Sequence, residues 1–203
     1  MKPVFVFWDN SNIFISAKTV ATDREGIDAG YPVRIQFDNL LQLAIAGRPM
    51  EFGLTVGSVP PPLRHVWNRL EQAGVKVEFF ERGALSSREQ AIDQALQVNM
   101  LRKAFDYNGN PGIAVVLTGD GAGFLDGVGF HADLERMHRR GWGVEILAWE
   151  KTCNSRLKKW ADSVGVFIGL EEYYESVTFT EDDMRVVRRA LPIDLSKRKT
   201  APP

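Results

Sequence analysis

The chain has 203 residues, 44% of them hydrophobic and 25% charged, which suits one globular domain with a full core and a short tail. With 25 Lys and Arg against 26 Asp and Glu, it has no global field to hold a polyanion, although a local basic face stays open. The single cysteine, Cys153, excludes an internal disulfide, and the scattered His65, His131 and His138 do not resemble a zinc-ligand set.

The first apolar run, Val4 to Trp8, is broken at once by Asp9, unlike a signal peptide, and no stretch approaches the roughly 18 apolar residues of a membrane span. A soluble, cytoplasmic protein in a reducing compartment is therefore expected. The run has strand length, and the turn Asp9-Asn10-Ser11-Asn12 leads from it into a helix over Ile13 to Val20. A second helix is predicted over Phe37 to Ala46 with Asp38 as its cap, then a strand over Phe52 to Gly57. Pro60-Pro61-Pro62 breaks the chain before a helix at Leu63 to Ala73, which Gly74 ends. A strand at Val75 to Phe80, a helix at Glu89 to Phe105 and the turn Gly109-Asn110-Pro111-Gly112 precede the strand Ile113 to Thr118. A helix at Ala132 to Arg139, a strand at Val144 to Ala148, a helix at Arg156 to Ser163 and a short strand at Val166 to Ile168 complete the alternation.

Apolar runs of this length suit strands buried on both faces, and their alternation with helices predicts an α/β fold. The expected architecture is a three-layer α/β/α sandwich with a mainly parallel, Rossmannoid sheet over residues 1–175. Past Ser176 the pattern weakens, so 176–203 reads as a C-terminal extension whose end, Leu195 to Pro203, is a mobile basic tail.

In such a sheet, ligands bind beyond the carboxyl ends of the strands. Asp9 follows the first strand, and Asp120 follows the strand that ends in Leu117-Thr118-Gly119. If those strands are neighbours, two carboxylates approach each other, which a cation or a retained proton must compensate. Asp93 is the third candidate, four residues after Glu89 at the edge of a helix's apolar face. Such an oxygen-rich cluster suits Mg²⁺ or Mn²⁺ and phosphodiester hydrolysis by a metal-activated water. Each signal also has a plainer reading. Asp9 and Asn12 serve equally as helix caps, Thr118 to Gly121 as a strand-to-helix turn, and Asp93 as a solvated helix residue. The segment Trp149 to Trp160 adds Asn154 and Ser155 as a cap or phosphate-binding group and Arg156, Lys158 and Lys159 as cations. There Trp149 is either a base-stacking or a core residue, and Cys153 reads as a small apolar packer.

Four parts of the chain, Phe7-Trp8-Asp9-Asn10-Ser11-Asn12, the helix carrying Asp93, Leu117-Thr118-Gly119-Asp120-Gly121 and Asn154-Ser155-Arg156-Leu157, resemble the NYN domains. These include the LabA-like (DUF88) proteins of the PIN-like nuclease superfamily, and the likeness extends over about residues 3 to 170. The resemblance implies a metal-dependent ribonuclease, with Asp9, Asp93 and Asp120 as catalytic metal ligands for Mg²⁺ or Mn²⁺. It implies Asn10, Ser11, Asn12, Thr118, Asn154, Ser155 and Arg156 as substrate contacts, RNA as the partner and no membrane; a homodimer is compatible with it. The family's usual Gly-Asp-x-Asp-Phe motif here runs Gly119-Asp120-Gly121-Ala122-Gly123-Phe124, without the second aspartate, and Asp126 is the candidate to replace it.

Two alternatives stay open. One is a PIN-like module that binds RNA, or regulates, without turnover. The other is a haloacid-dehalogenase-like phosphatase, which needs an acid two residues after its nucleophile, where this chain has Ser11.

Overall fold

The computed structural model describes residues 1–57, 67–79, 85–118, 129–183 and 185–202, with the backbone alone for 85–93. The first apolar run forms β1 (Val4–Asp9), every residue of it buried. It is followed by α1 (Asn10–Glu25), β2 (Val33–Ile35), α2 (Phe37–Ile45), β3 (Met50–Gly57), α3 (Asn68–Gln72) and β4 (Lys76–Phe79). Then come α4 (Leu85–Asp106), β5 (Ile113–Leu117), α5 (Phe130–Arg139), β6 (Gly143–Ala148), α6 (Ser155–Val164) and β7 (Val166–Gly169). A 3-10 turn over Leu170–Tyr173, α7 (Tyr174–Val177), β8 (Thr178–Asp182) and β9 (Arg185–Arg188) close the chain.

Six strands form one sheet in the order β4-β3-β1-β5-β6-β7, and all five pairings are parallel. Alternation along β1 splits the core into two layers. Val4, Val6 and Trp8 join Ile13, Ala17, Leu40 and Leu43 from α1 and α2, while Phe5 and Phe7 join Leu96, Met100, Leu134 and Leu157 from α4, α5 and α6. The expected three-layer α/β/α sandwich is thus the observed fold, consistent with a PIN-like sandwich. The chain builds outward from β1 to β3 and β4, then crosses back through α4 to β5 on the other side of β1. The switch point lies between β1 and β5, and the carboxyl ends of both strands flank it.

Three local expectations change. Asp38 does not cap α2, whose N-cap is Gln36; Asp38 lies inside the first turn and its carboxylate accepts from Arg69 at 2.9 Å. A second, antiparallel sheet β2-β8-β9 forms from segments too short to announce themselves, and it draws residues past 176 into the body of the protein. The Leu195 to Pro203 segment is anchored rather than mobile at Arg198 and Ala201. Arg198 is buried and donates to Glu145 Oε2 at 2.6 Å and from Nε to the Leu43 carbonyl at 2.9 Å, and the Ala201 N–H donates to Glu145 Oε1 at 2.7 Å. Glu145 is a fully buried charge in the middle of β6, and Arg48 grips its other side at 2.6 and 2.8 Å, so the tail supplies one half of a buried Arg-Glu-Arg cluster.

Pro60 to Pro62 and Phe80 lie outside the described residues. Gly74 follows α3 with φ +83°, the left-handed conformation that suits glycine.

Candidate functional site

The carboxyl edge of β1 is built by a change of backbone direction. Asp9 remains extended (φ −83°, ψ 94°) and is the N-cap of α1, its Oδ1 accepting from the Asn12 N–H at 2.9 Å. Oδ2 accepts from the Asn12 side-chain amide at 2.8 Å. Asp9 is 3% exposed, so this carboxylate is held at the floor of the edge rather than on its rim. The two bonds from Asn12 reach both carboxylate oxygens and so fix the orientation of the group.

Asn10 is the next residue and is also buried. Its Oδ1 has no hydrogen-bond partner among the described residues. It stands against the end of β3, where a Cβ on Gly57 would come within 3.5 Å of the Asn10 Cβ. A buried amide oxygen left without a donor costs about 1–3 kcal/mol, so a ligand, a cation or a bound water is the natural occupant of its free side. Asp9 and Asn10, consecutive in the chain, both carry hard oxygen donors, the type Mg²⁺ and Mn²⁺ select. Among the described residues, no group of three His, Cys, Asp or Glu is placed to hold a metal ion.

Two of the expected carboxylates, Asp120 and Asp126, lie outside the described residues, as does the Gly119 to Phe124 turn. The last described residue before that gap is Thr118, which follows β5 directly, is buried and donates its N–H to the Leu147 carbonyl of β6 at 3.2 Å. Trp8 on β1 pairs in register with Leu117 on β5, so Asp9 and Thr118 leave adjacent strands at the same level.

Asp93 is described by its backbone, inside α4, which packs on β1 and β3. Tyr107, just past that helix, meets Phe5 edge-on with ring centroids 4.9 Å apart, which aligns the end of α4 with the start of β1. Counting back along the helix at about 1.5 Å per residue gives about 21 Å to Asp93, against about 13 Å from Phe5 to Asp9 at about 3.3 Å per residue. The Asp93 backbone thus stands at or beyond the carboxyl edge of the sheet.

The 149–156 segment closes the edge from the β6 side. Trp149 is a core residue: it is fully buried and its Nε1 donates to the Ile13 carbonyl of α1 at 3.0 Å, which excludes it from stacking on a base. Asn154 caps α6, its Oδ1 accepting from the Arg156 N–H at 2.9 Å, and Ser155 begins the helix. Lys158 is turned aside by an ion pair with Glu150 at 2.8 Å. The half-buried Cys153 donates weakly to the Asn154 carbonyl at 3.7 Å.

His131, one of three histidines whose spacing does not suit a zinc site, is a neighbour of α6. It is buried at the start of α5, its ring 4.7 Å from that of Trp160, and its Nε2 lies 3.6 Å from Glu135. Burial pushes its pKa below the usual histidine value, Glu135 opposes that shift and the nearby Arg156 charge reinforces it. His131 is therefore neutral at pH 7 and lies against Trp160 of α6, the helix that carries Arg156. Only its spacing from the end of β5 could have pointed to it in the sequence.

A family model for the NYN domain matches residues 3–168. The chain belongs to the NYN domain family. NYN domains are part of the PIN-like nuclease superfamily, a relationship that suggests ribonuclease activity, and its nucleases generally depend on a divalent metal. Among curated proteins none matches the chain. Among solved structures this NYN domain is similar to a protein of unknown function from Vibrio parahaemolyticus, known from its crystal structure. The two share 13% identity with a TM-score of 0.58 over 92% of this chain and 97% of the other, a likeness of fold alone. No described helix is long and apolar enough to cross a membrane.

Proposed function

We propose that this NYN domain is a metal-dependent ribonuclease of the LabA-like type, acting in the cytoplasm on RNA, with Asp9, Asp93 and Asp120 as the ligands of a Mg²⁺ or Mn²⁺ ion and Asp126 as a fourth candidate. The observation that carries the reading is the buried Asp9 carboxylate at the switch point, oriented through both oxygens by Asn12. A charge kept at that depth at a ligand-binding edge favours a counter-cation. Asp9 also has the strand parity of Phe5 and Phe7, whose layer contains α4, and this supports a role for Asp93.

When bound, the ion supplies activation of the attacking water and charge stabilisation at the phosphate. The protein's own residues do the positioning. Asn12 holds the Asp9 carboxylate in one rotamer, Asn10 would offer its amide oxygen to a ribose hydroxyl, and Thr118 lines the β5 side. Asn154 and Ser155 present the start of α6 to a phosphate, and Arg156 offers a cation to the RNA backbone.

The missing second aspartate in Gly119 to Phe124 favours one competing reading, an RNA-binding module without turnover. The test is cleavage of single-stranded and structured RNA with Mn²⁺, with chelator, and by Asp9→Asn and Asp120→Asn. Ribonuclease action predicts that cleavage stops under each of the last three conditions. Cleavage that survives both substitutions overturns the site, and RNA binding with no cleavage under any condition establishes the competing reading.

A further inference from the structure

A second feature of the surface lies next to this edge and belongs to none of the expected site residues. An open groove of about 610 Å³ runs between the outer side of α1, the connection from Gly26 to Pro32 and the loop after β6. Its walls carry Lys18, Thr19 and Thr22 from α1, Tyr31 from the connection and Lys151 from the loop. Gly30 brings the connection onto the helix, since a Cβ there would come within 2.8 Å of the Lys18 carbonyl. That approach leaves Tyr31 84% and Ile27 85% exposed on the groove's lip. A tyrosine kept in solvent beside two lysines and two threonines gains nothing for the fold.

The groove connects to the Asp9 edge along one helix. Ser11, Ile15, Lys18, Thr19 and Thr22 recur at the three- and four-residue spacing that lines one side of α1, and Ile15 on that side is 58% exposed. From Asn12 to Lys18 the helix rises about 9 Å, a short step for an extended polynucleotide. Lys18 Nζ sits 4.8 Å from the centroid of the Phe14 ring, which steadies the cation on the helix surface, and Lys151 is fixed across the groove by Asp23 at 2.5 Å. An ammonium has three donors, so the Asp23 contact leaves Lys151 able to meet a phosphate. Two cations against one carboxylate make the groove locally positive in a chain of net charge −1.

We propose that this groove binds single-stranded RNA as it leaves the Asp9 edge, with Tyr31 stacking on a base, Lys18 and Lys151 contacting phosphates, and Thr19 and Thr22 contacting the sugar. An exposed ring with flexible cations around it suits unstacked bases, whereas a duplex offers no free base face to Tyr31. The assignment names the substrate track of the site proposed above and rests on that reading for its direction.

The test uses the full chain and a labelled oligouridylate of about 12 nucleotides, within the usual range of single-strand site sizes. Binding is measured in chelator from about 50 to about 200 mM salt, where phosphate contacts are weighed by their salt dependence. Tyr31→Ala weakens binding about tenfold with an unchanged salt slope, as loss of one stacked base requires. Lys18→Gln and Lys151→Gln each lower the slope by about 0.7, the value for one phosphate contact on a single strand. Lys76→Gln, which removes the same charge at the start of β4, changes neither. Wild-type affinity in Tyr31→Ala and Lys18→Gln, an equal loss for duplex RNA, or no RNA binding at all overturns the groove. Cleavage with Mn²⁺ separates the two proposals. RNA held through Tyr31 but never cut refutes the nuclease and keeps the groove, while cleavage with an unchanged KM in Tyr31→Ala refutes the groove and keeps the nuclease.

Discussion

Glu145→Gln is expected to destabilise this protein more than Arg198→Met, although the arginine lies in a segment whose sequence suggests a mobile tail. The buried cluster holds two guanidinium groups and one carboxylate, with Arg198 at 1% and Glu145 at 0% side-chain exposure. Neutralising Glu145 leaves two buried cations facing each other, while removing Arg198 leaves the Arg48–Glu145 pair at 2.6 and 2.8 Å with balanced charge. Breaking a buried pair so that a charge is stranded costs about 3–5 kcal/mol, whereas losing one arm of a cluster that remains paired costs about 1–2 kcal/mol in hydrogen bonds. For a chain of this size each kcal/mol shifts Tm by about 2–4 °C, so Glu145→Gln should lower Tm by about 6–20 °C and Arg198→Met by about 2–8 °C. Thermal and guanidinium unfolding measure the ranking, and amide exchange at residues 195–202 reports release of the tail in both variants. An Arg198→Met loss equal to or larger than that of Glu145→Gln would refute the charge accounting.

Asp9→Ala should cost about 1 kcal/mol through loss of the α1 cap, readable by denaturant titration, and should abolish Mn²⁺-dependent RNA cleavage. Asp9→Asn keeps an acceptor for the Asn12 N–H, so it should separate the two effects, with near-native stability but no cleavage. His131 has its folded pKa below the unfolded value of about 6.5, so the unfolded chain binds its proton first. Stability from this group is complete above about pH 6.5 and falls as pH drops toward the folded pKa; His131→Gln should flatten that part of a stability-versus-pH curve. In Glu145, burial alone would raise the pKa, but the Arg48 hydrogen bond and the Arg198 and Arg48 charges outweigh it and hold the carboxyl below its ordinary value. Its contribution is full above the unfolded value and is lost only as pH falls through the lowered one, a second and more acidic step that Glu145→Gln should remove. Gly112→Ala should destabilise by about 1–3 kcal/mol through overpacking, because its Cβ would meet the Pro3 carbonyl at 2.5 Å and the Phe5 ring at 2.7 Å; calorimetry checks it.

The central strands were legible because strands buried on both faces must be apolar at nearly every position, as Val4 to Trp8 and Ile113 to Leu117 are. β2, β8 and β9 were not, because three to five residues with half-polar patterns such as Thr178–Asp182 carry too little periodicity to separate from loop. Glu145 did leave a mark, a lone carboxylate inside the run Val144 to Ala148, since a charge on a doubly buried strand requires a buried partner. Its partners, Arg48 and Arg198, are 97 and 53 residues away, and no local pattern names them.

The sequence by itself determined where Asp9 stands, since an apolar strand ending at an acidic turn can present that carboxylate only at the carboxyl edge of a parallel sheet. Tertiary structure decided what surrounds it. The order β4-β3-β1-β5-β6-β7 sets β5 beside β1, Gly57 brings the end of β3 against Asn10, Trp149 is spent on the core, and His131 packs on Trp160 of α6. Those choices depend on which distant segments pack together, and packing is settled by the complementarity of whole faces rather than by the residues adjacent in the chain.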